Sequence, residues 1–395
     1  MSFVEEYIQS EQKRQDSTVE LIASENFVSD RILSAMGSCL TNKYSEGYPT
    51  IRKSGNKGRY YGGCGFIDLI EEYCCNKWRE VFSTDYHVNV QPHSGSNANM
   101  EAYMSILKPG DKILSMGLND GGHLTHGSTV NFSGKLYQIY NYPLNHKGFI
   151  NYDALEQLAF QIKPNVIVAG ASAYSRKIRF DVFSDIAKRC GAYFMVDMAH
   201  IAGLIATNNH ISPFGLADII TTTTHKTLRG PRGGMIFCKP ELAKKVDSAV
   251  FPGCQGGPLQ NIIAAKAICA EEALTDEFCK YIDQVILNSK AMCQQFTDMG
   301  YRVVTGGTDN HLFVLDISDT GFSGKQIQEE LESYGITLNK NCIPGETKSP
   351  KEASGLRIGT AAMTTKGWKE KDFIDCAIDI DRKINRMKNH AIRWI

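Results

Sequence analysis

Short apolar runs and longer amphipathic stretches take turns along most of this chain. "HVNVQP", "DKILSM", "NVIVAGA", "AYFMVDMA", "ADIITTTT" and "GGMIFCK" read as strands. Between them, "SNANMEAYMSIL", "YDALEQLAFQI" and "FSDIAKRC" place apolar residues at helical spacing, with Ala98, Ala102 and Ile106 on one face. Strands alternating with helices predict an α/β domain, its mainly parallel sheet covered on both faces. Residues 1–20 suit an exposed helix or arm. "ELIASENFVSD" then leaves the helical pattern, "TNKYSEGYPTIRKSGNKGRYYGGCG" reads as a glycine-rich loop region, and a helix is expected from Phe66 to Phe82. A long helical stretch from Leu259 towards Met299 changes character near Thr275. It leads to "YRVVTG", "HLFVLDI" and "LRIGT", the strands expected of a smaller C-terminal α+β domain. The divisions expected are an N-terminal segment, 1–47, a large α/β domain, 48–270, and the small domain, 271–395.

Composition narrows the partners. Acidic and basic residues balance at 43 each, so net charge gives no reason to expect nucleic acid or an anionic membrane. No apolar run approaches the roughly 20 residues of a membrane helix, and the polar start "MSFVEEYIQSEQKRQD" has no apolar signal core. The 12 cysteines form no CxxC pair, which argues against a zinc site. Cys190, Cys238 and Cys269 sit among apolar residues and read as core. A reducing, cytoplasmic setting is expected.

Chemistry gathers where strands end. In open α/β sheets, ligands sit beyond the carboxyl ends of the strands. Ser94, Gly95 and Ser96 lie between a strand and a helix, where hydroxyls and free N–H groups make an anion cup, or where Ser94 simply caps the helix. Asp197 closes the run "AYFMV", with His200 three residues later; a carboxylate there caps a helix or keeps a ring nitrogen protonated. Lys226 ends the threonine strand in "TTTTHKTLRGPRGG". Alone it reads as a loop lysine; partly desolvated, it is an amine nucleophile. Together, an anion cup, a carboxylate and an amine at successive strand ends meet the requirements of pyridoxal phosphate. Weaker signals are set aside. His123 and His126 in "GGHLTHG" lack an obvious third metal ligand. "GFSGKQ" has the wrong spacing for a phosphate loop, and "GCGFID" lacks the third glycine of a dinucleotide fingerprint.

The segments "LIASENF", "LTNKYSEGYP", "RYYGG", "NVQPHSGSNAN", "GGHLTHG", "SAYSR", "VDMAHIAGL", "TTTTHKTLRGPRGG", "FPGCQGGP", "GGTDNHLF" and "SGLRIGT" resemble, in order, those of the serine hydroxymethyltransferase family. The resemblance implies a fold-type I pyridoxal-phosphate transferase with a mainly parallel seven-stranded sheet and a smaller α+β domain. It implies transfer of the hydroxymethyl carbon of serine to tetrahydrofolate, giving glycine and 5,10-methylenetetrahydrofolate. By position, Lys226 would form the Schiff base, Asp197 would pair with the pyridine nitrogen, and His123 would stack on the ring. Ser172 and His200 would lie near the ring hydroxyl, with Thr223 and His225 also in the cofactor site. Ser94, Gly95 and Ser96 would bind phosphate, helped by Gly257 of the neighbouring subunit. Ser24, His200 and Arg357 would hold the substrate carboxylate. Tyr44, Glu46 and Tyr61 would reach in from the partner, with Glu46 the proton-transfer group and its pKa raised. Leu118, Gly122, Leu124 and Asn341 would line the folate site. No metal is expected, and the assembly would be a homodimer with shared active sites or a tetramer. Short of that resemblance, a related enzyme such as a threonine aldolase would share Lys226 and Asp197, and a non-catalytic scaffold would share the fold alone.

Three departures from the family pattern stand out. The link between Glu46 and Tyr61 is longer and carries Arg52, Lys53, Lys57 and Arg59, read either as a contact for folate's glutamate tail or as a surface loop. Asp120 replaces a usual histidine, and Cys254 a usual glycine.

Overall fold

The computed structural model describes residues 2–49 and 58–392. Its contacts divide the chain into two units. One comprises the residues up to Asn26, Ala173–Arg176 and everything from Gln284 onward; the other comprises Phe27–Ser172 and Lys177–Asp283.

In the first unit, α1 (Phe3–Ser17) starts at a capping box, Ser2 with Glu5, and buries none of its residues. Strand β1 (Val19–Glu20) follows it. The second unit opens with α2 (Asp30–Met36), α3 (Gly65–Val81) and β2 (His87–Asn89). These lead to α4 (Gly95–Ile106), β3 (Lys112–Met116), β4 (Gln138–Tyr142), β5 (Val166–Ala169), β6 (Tyr193–Asp197), β7 (Ile219–Thr223) and β8 (Gly234–Cys238).

The sheet of the second unit has seven strands in the order β2-β8-β7-β6-β5-β3-β4. Only β8 runs against the others, because the loop after β7 returns the chain directly rather than through a crossover helix. The sheet is therefore mainly parallel, as the alternating pattern implies. All residues of β5, β7 and β8 are buried, which is why these strands read as continuous runs and not as alternation. Helices cover both faces; Ala98 and Ala102 of α4 pack on Ile113, Val166, Val168 and Met195.

Strand β4 is not legible in the sequence. It is an edge strand whose residues are mostly half-buried or exposed, so "QIYNY" carries neither an apolar run nor a clean alternation. Cys238 and Cys269 are core residues, whereas Cys190 is only half-buried at the end of the helix Phe180–Cys190.

In the first unit β9 (Arg302–Val303), β10 (Leu312–Asp316), β12 (Asn339–Asn341) and β13 (Gly355–Gly359) form an antiparallel sheet in the order β12-β13-β10-β9, and β11 (Ile336–Thr337) pairs with β1 in parallel. That pairing draws residues 19–20 into the C-terminal fold, where Leu21 joins a core of Phe296, Phe313, Leu315 and Phe373. The long helical stretch after Leu259 is two helices, Gln260–Ala273 and Asp276–Asp298, broken near Thr275 as read. "GFSGKQ" is a helix start: Ser323 accepts the Gln326 N–H, and Gln326 accepts the Ser323 N–H.

Candidate active site

The threonine run resolves into a buried strand whose hydroxyls are almost all spoken for. Thr221 donates to Asn99 Oδ1 (2.6 Å), Thr222 to the Thr223 carbonyl (3.0 Å), and Thr224 to the Pro231 carbonyl. Thr223 Oγ1 is the exception: buried, with no partner in the protein. His225 Nδ1 is in the same condition. Burial, helped by the charges of Lys226 and Arg232, pushes the His225 imidazole down to about 3, so it is neutral. Lys226 follows in a tight turn, 8% exposed. The turn is closed by Arg229 N–H to the Lys226 carbonyl and Gly230 N–H to the Thr224 carbonyl.

Asp197 ends β6, next to Thr221 of β7 in register. Its burial would raise the carboxyl pKa. The hydrogen bond from His126 leads the opposing effects, joined by the Lys226 charge, and holds it well below the usual carboxylate range. Oδ2 accepts from His126 Nε2 (3.0 Å) and Asn99 Nδ2 (2.9 Å), while Oδ1 accepts the Ala199 N–H (3.1 Å). His126 Nδ1 accepts the His123 N–H (3.2 Å), which assigns the His126 ring proton to Nε2. Both ring nitrogens are thus engaged within the protein, which leaves His126 no role as a metal ligand. His123 is half-buried, and its Nδ1 pairs with Thr125 Oγ1 (2.7 Å).

The start of α4 is locked onto the ends of β7 and β8. A Cβ on Gly95 would sit 2.5 Å from Thr223 Cγ2, and one on Gly234 would sit 2.2 Å from the Ser94 carbonyl oxygen, so neither position has room for a side chain. Beneath this start, Lys266 Nζ donates to the carbonyls of Val90, Pro92 and Gly234. Ser94 is the helix cap, its Oγ accepting the Asn97 N–H (3.2 Å), so the modest reading of this serine is realised. The N–H groups of Gly95 and Ser96 fall in the first turn, where a helix offers no acceptor.

Neighbouring loops join the same region. The Ser172 N–H bonds the Gly121 carbonyl (2.7 Å), tying the segment after β5 to the one after β3. His200, buried after β6, accepts Thr227 Oγ1 at its carbonyl (3.1 Å). Gly122 is buried, and a Cβ there would meet the Met116 carbonyl at 2.2 Å; Leu118 and Leu124 stand exposed on either side. Asp120 is half-buried beside them, and burial raises its carboxyl pKa.

A second grouping contains Tyr44, Glu46, Tyr61 and Gly257. The rings of Tyr44 and Tyr61 meet edge to face at 5.0 Å, Tyr44 OH reaches Glu46 Oε1 (3.3 Å), and Gly257 lies against the Tyr44 ring. Tyr44 is 55% and Tyr61 41% exposed. The backbone bridge Gly47–Arg59 and the bond from Tyr60 N–H to the Glu46 carbonyl (2.9 Å) fix this segment. Arg52, Lys53 and Lys57 of the long link lie outside the described residues. Arg59 does not belong with them as a ligand for folate. Its side chain is 3% exposed and bonds Asp68 (2.8 Å), Glu71 (2.6 Å) and the carbonyls of Ser45 and Gly47. Cys254 places its thiol against Met104 Sδ (3.2 Å), and burial pushes that thiol up to about 11.

Ser24, Asn341 and Arg357 belong to the other unit. Ser24 is half-buried in a turn after Ala23, which abuts Gly359 so closely that a Cβ there would meet Ala23 Cα at 2.4 Å. Arg357, on β13, donates from Nε to Asn339 Oδ1 (3.0 Å), and burial pushes its guanidinium down to about 10, still charged at neutral pH. Asn341 ends β12, its amide bonded to the Cys342 carbonyl (2.6 Å).

Two groups of buried residues, around Asp197 and around Arg59, escaped the reading of the sequence. In the sequence His126 reads only as a metal candidate, and Asn99 as an ordinary polar residue of a helix. The one usable signal was the spacing of His126 from His123 in a segment already rich in glycine.

An amine, a carboxylate held ionised and a helix start at adjoining strand ends of a mainly parallel sheet define a pyridoxal-phosphate-dependent transferase. A family model described as "Serine hydroxymethyltransferase" matches residues 2–380. A curated serine hydroxymethyltransferase of Lactobacillus johnsonii is 57% identical over 373 residues, covering 94% of this chain and 89% of that protein. The chain belongs to the serine hydroxymethyltransferase family. It is a fold-type I pyridoxal-phosphate enzyme, a glycine hydroxymethyltransferase with tetrahydrofolate as co-substrate. The threonine aldolase and scaffold readings fall away.

Proposed function

We propose that Lys226, Asp197 and the start of α4 carry this family's reaction: transfer of the hydroxymethyl carbon of serine to tetrahydrofolate, reversibly, giving glycine and 5,10-methylenetetrahydrofolate. The observation that carries the assignment is the pair of buried atoms without protein partners, Thr223 Oγ1 and His225 Nδ1, flanking Lys226 at the end of β7. An unsatisfied buried polar atom costs about 1–3 kcal/mol, which a polar cofactor seated there would offset. The donor set suits pyridoxal phosphate: first-turn N–H groups for its phosphate, Asp197 for its pyridine nitrogen and Lys226 for its aldehyde.

When bound, the cofactor supplies an electron sink for the charge left on the amino acid when the hydroxymethyl group departs. Lys226 would provide the amine that holds it. Asp197 keeps a proton on the ring nitrogen, and its own low pKa ensures that it is the carboxylate. Gly95 and Ser96 N–H groups, with Ser94, hold the phosphate. His123 covers the ring face, and Ser172 and His200 attend the ring hydroxyl. Arg357, Ser24 and His200 would receive the amino acid's carboxylate and so orient the substrate for reaction. Glu46 moves the proton at the serine hydroxyl or in the folate step. Leu118, Gly122, Leu124 and Asn341 hold the folate.

A homodimer with shared sites is part of this reading. Tyr44 and Tyr61 are exposed beside Glu46 and Gly257, and Phe66, Leu69 and Tyr73 form an exposed apolar stripe on α3 (82%, 56% and 44% exposed) that a second copy would cover. The 12 cysteines are thiols, which suits the reducing cytoplasmic setting that is part of this reading. No described helix is long and apolar enough to cross a membrane.

The test is borohydride reduction of the protein loaded with pyridoxal phosphate, followed by peptide mapping, alongside serine turnover with and without tetrahydrofolate. The label is expected on Lys226, and turnover is expected to need both the cofactor and that lysine. A label elsewhere, or undiminished turnover in Lys226→Ala, ends the assignment.

A further inference from the structure

We infer that Asn99 is a positioning residue for this reaction: its amide ties the carboxylate of Asp197 to the helix that begins at the phosphate cup. The inference rests on the role proposed above for Asp197. Asn99 lies on α4, one turn beyond Gly95 and Ser96, and is 1% exposed. Its Nδ2 donates to Asp197 Oδ2 (2.9 Å) and Thr125 Oγ1 (2.7 Å), and its Oδ1 accepts the Thr221 hydroxyl (2.6 Å). Every hydrogen-bonding direction but one of this amide is filled inside the protein.

The amide has one permissible orientation. Turned over, it would face its oxygen to the Asp197 carboxylate, and two acceptors would meet in a buried place. Thr221, one strand over, enforces the same choice by donating to Oδ1. Through single bonds Asn99 therefore touches four parts of the site. These are the carboxylate, the register of β7 that leads to Lys226, the hydroxyl of Thr125 that pairs with His123 Nδ1, and α4 itself. The two ends of the cofactor, phosphate and ring nitrogen, would be spaced by one rigid helix. A polar residue with this set of partners does more than fill space, because an apolar core position needs no donors aimed at a carboxylate.

Without Asn99, Oδ2 keeps only His126 as donor while Asp197 stays buried. The carboxylate is then a weaker partner for the ring proton. The experiment uses the reconstituted holoenzyme carrying cofactor labelled with ¹⁵N at the pyridine nitrogen. Wild type, Asn99→Ala and Thr221→Val are compared by ¹⁵N NMR, serine kinetics and thermal melting. Thr221→Val keeps Asn99 and nearly the same shape, so it serves even where Asn99→Ala does not fold.

The ¹⁵N resonance is expected to move towards its unprotonated position in both variants. kcat is expected to fall about 10- to 100-fold in Asn99→Ala, the usual range for partners that orient a reactive group, and less in Thr221→Val, with KM for serine within about twofold. Wild-type ¹⁵N shift and kcat in both variants, or a lowered melting temperature alone, would overturn the inference and leave the role of Asp197 standing. An unprotonated ring in the wild type would instead overturn the role of Asp197, and the inference with it.

Discussion

His126 and Asp197 form a buried pair in which the imidazole is oriented from behind: Nε2 donates to Oδ2 at 3.0 Å, while Nδ1 accepts the backbone N–H of His123 at 3.2 Å. The backbone bond sets the tautomer, and the tautomer sets the charge on the carboxylate. His126→Ala is expected to raise the Asp197 pKa and cut kcat at least tenfold, and Asp197→Ala should cost far more, on the order of 10³-fold or beyond. Stopped-flow absorbance and steady-state rates with serine and tetrahydrofolate check both. Native rates in His126→Ala would show that the pair is structural only.

The same pair gives a pH signature with a definite sign. The folded pKa of Asp197 lies below its unfolded value, near 4. Its contribution to stability is therefore present above about pH 4 and lost as acid titrates it through the lower folded value. Asp197→Asn should flatten the acid limb of a stability-versus-pH curve measured by denaturant melts and leave the neutral region's slope alone. An unchanged acid limb would count against the assigned shift.

Arg59 should be among the costliest single substitutions in the chain. It brings a buried guanidinium to Asp68 and to Glu71, the latter carboxylate fully buried, and it holds the carbonyls on either side of Glu46. Removing one partner of such a set leaves uncompensated charge, at about 3–5 kcal/mol. Arg59→Ala is expected to lose that much in urea melts and to lower kcat through Glu46; Arg59→Lys should recover only part, since an ammonium cannot reproduce the fork. A loss below about 1 kcal/mol would mean that the network is screened.

How far the sequence could reach is clear from which residues it named. Lys226, Asp197 and Ser94–Ser96 were legible because a cation, an anion and small polar residues at strand ends violate the apolar pattern around them. Asn99 and Glu101 break no local rule. On a helix they read as ordinary polar positions, and only the packing of α4 against the sheet buries them. Arg59 is illegible for the same reason: its neighbours in the chain are basic, but its carboxylate partners come from α3. Strand β4 was missed because an edge strand does not need a buried pattern. Eleven short motifs in order still name the family, which no composition or periodicity does.

Arg357→Ala is expected to act on substrate binding. A charge-assisted bidentate contact to a carboxylate is worth roughly 1.5–3 kcal/mol, so kcat/KM for serine should fall about ten- to 150-fold, mostly through KM. Cofactor affinity should hold, because β13 keeps its ladder to β10. Titration with glycine followed by absorbance separates the two effects. Unchanged KM with weakened cofactor would relocate this arginine's role.

Glu101 offers the sharpest test of a feature that no catalytic role explains. It sits on α4, fully buried, and neither carboxyl oxygen has a partner. Burial pushes its pKa up to about 8, with the nearby Lys266 charge pulling the other way. In the unfolded chain the same group titrates near 4.5. Between those values the folded state holds a proton that the unfolded state has released. Stability relative to Glu101→Gln is therefore full below about pH 4.5, declines as pH rises towards 8, and is flat beyond. Summed over that window the decline is on the order of 5 kcal/mol, since each pH unit contributes at most about 1.4. Glu101→Gln, which mimics the neutral acid, should match the wild type near pH 5 and exceed it at pH 8.5. Denaturant melts of the cofactor-free protein at pH 5, 7 and 8.5 measure this directly. Parallel curves for the two proteins would mean that the carboxyl finds a partner or water on ionising, and that α4 tolerates the charge.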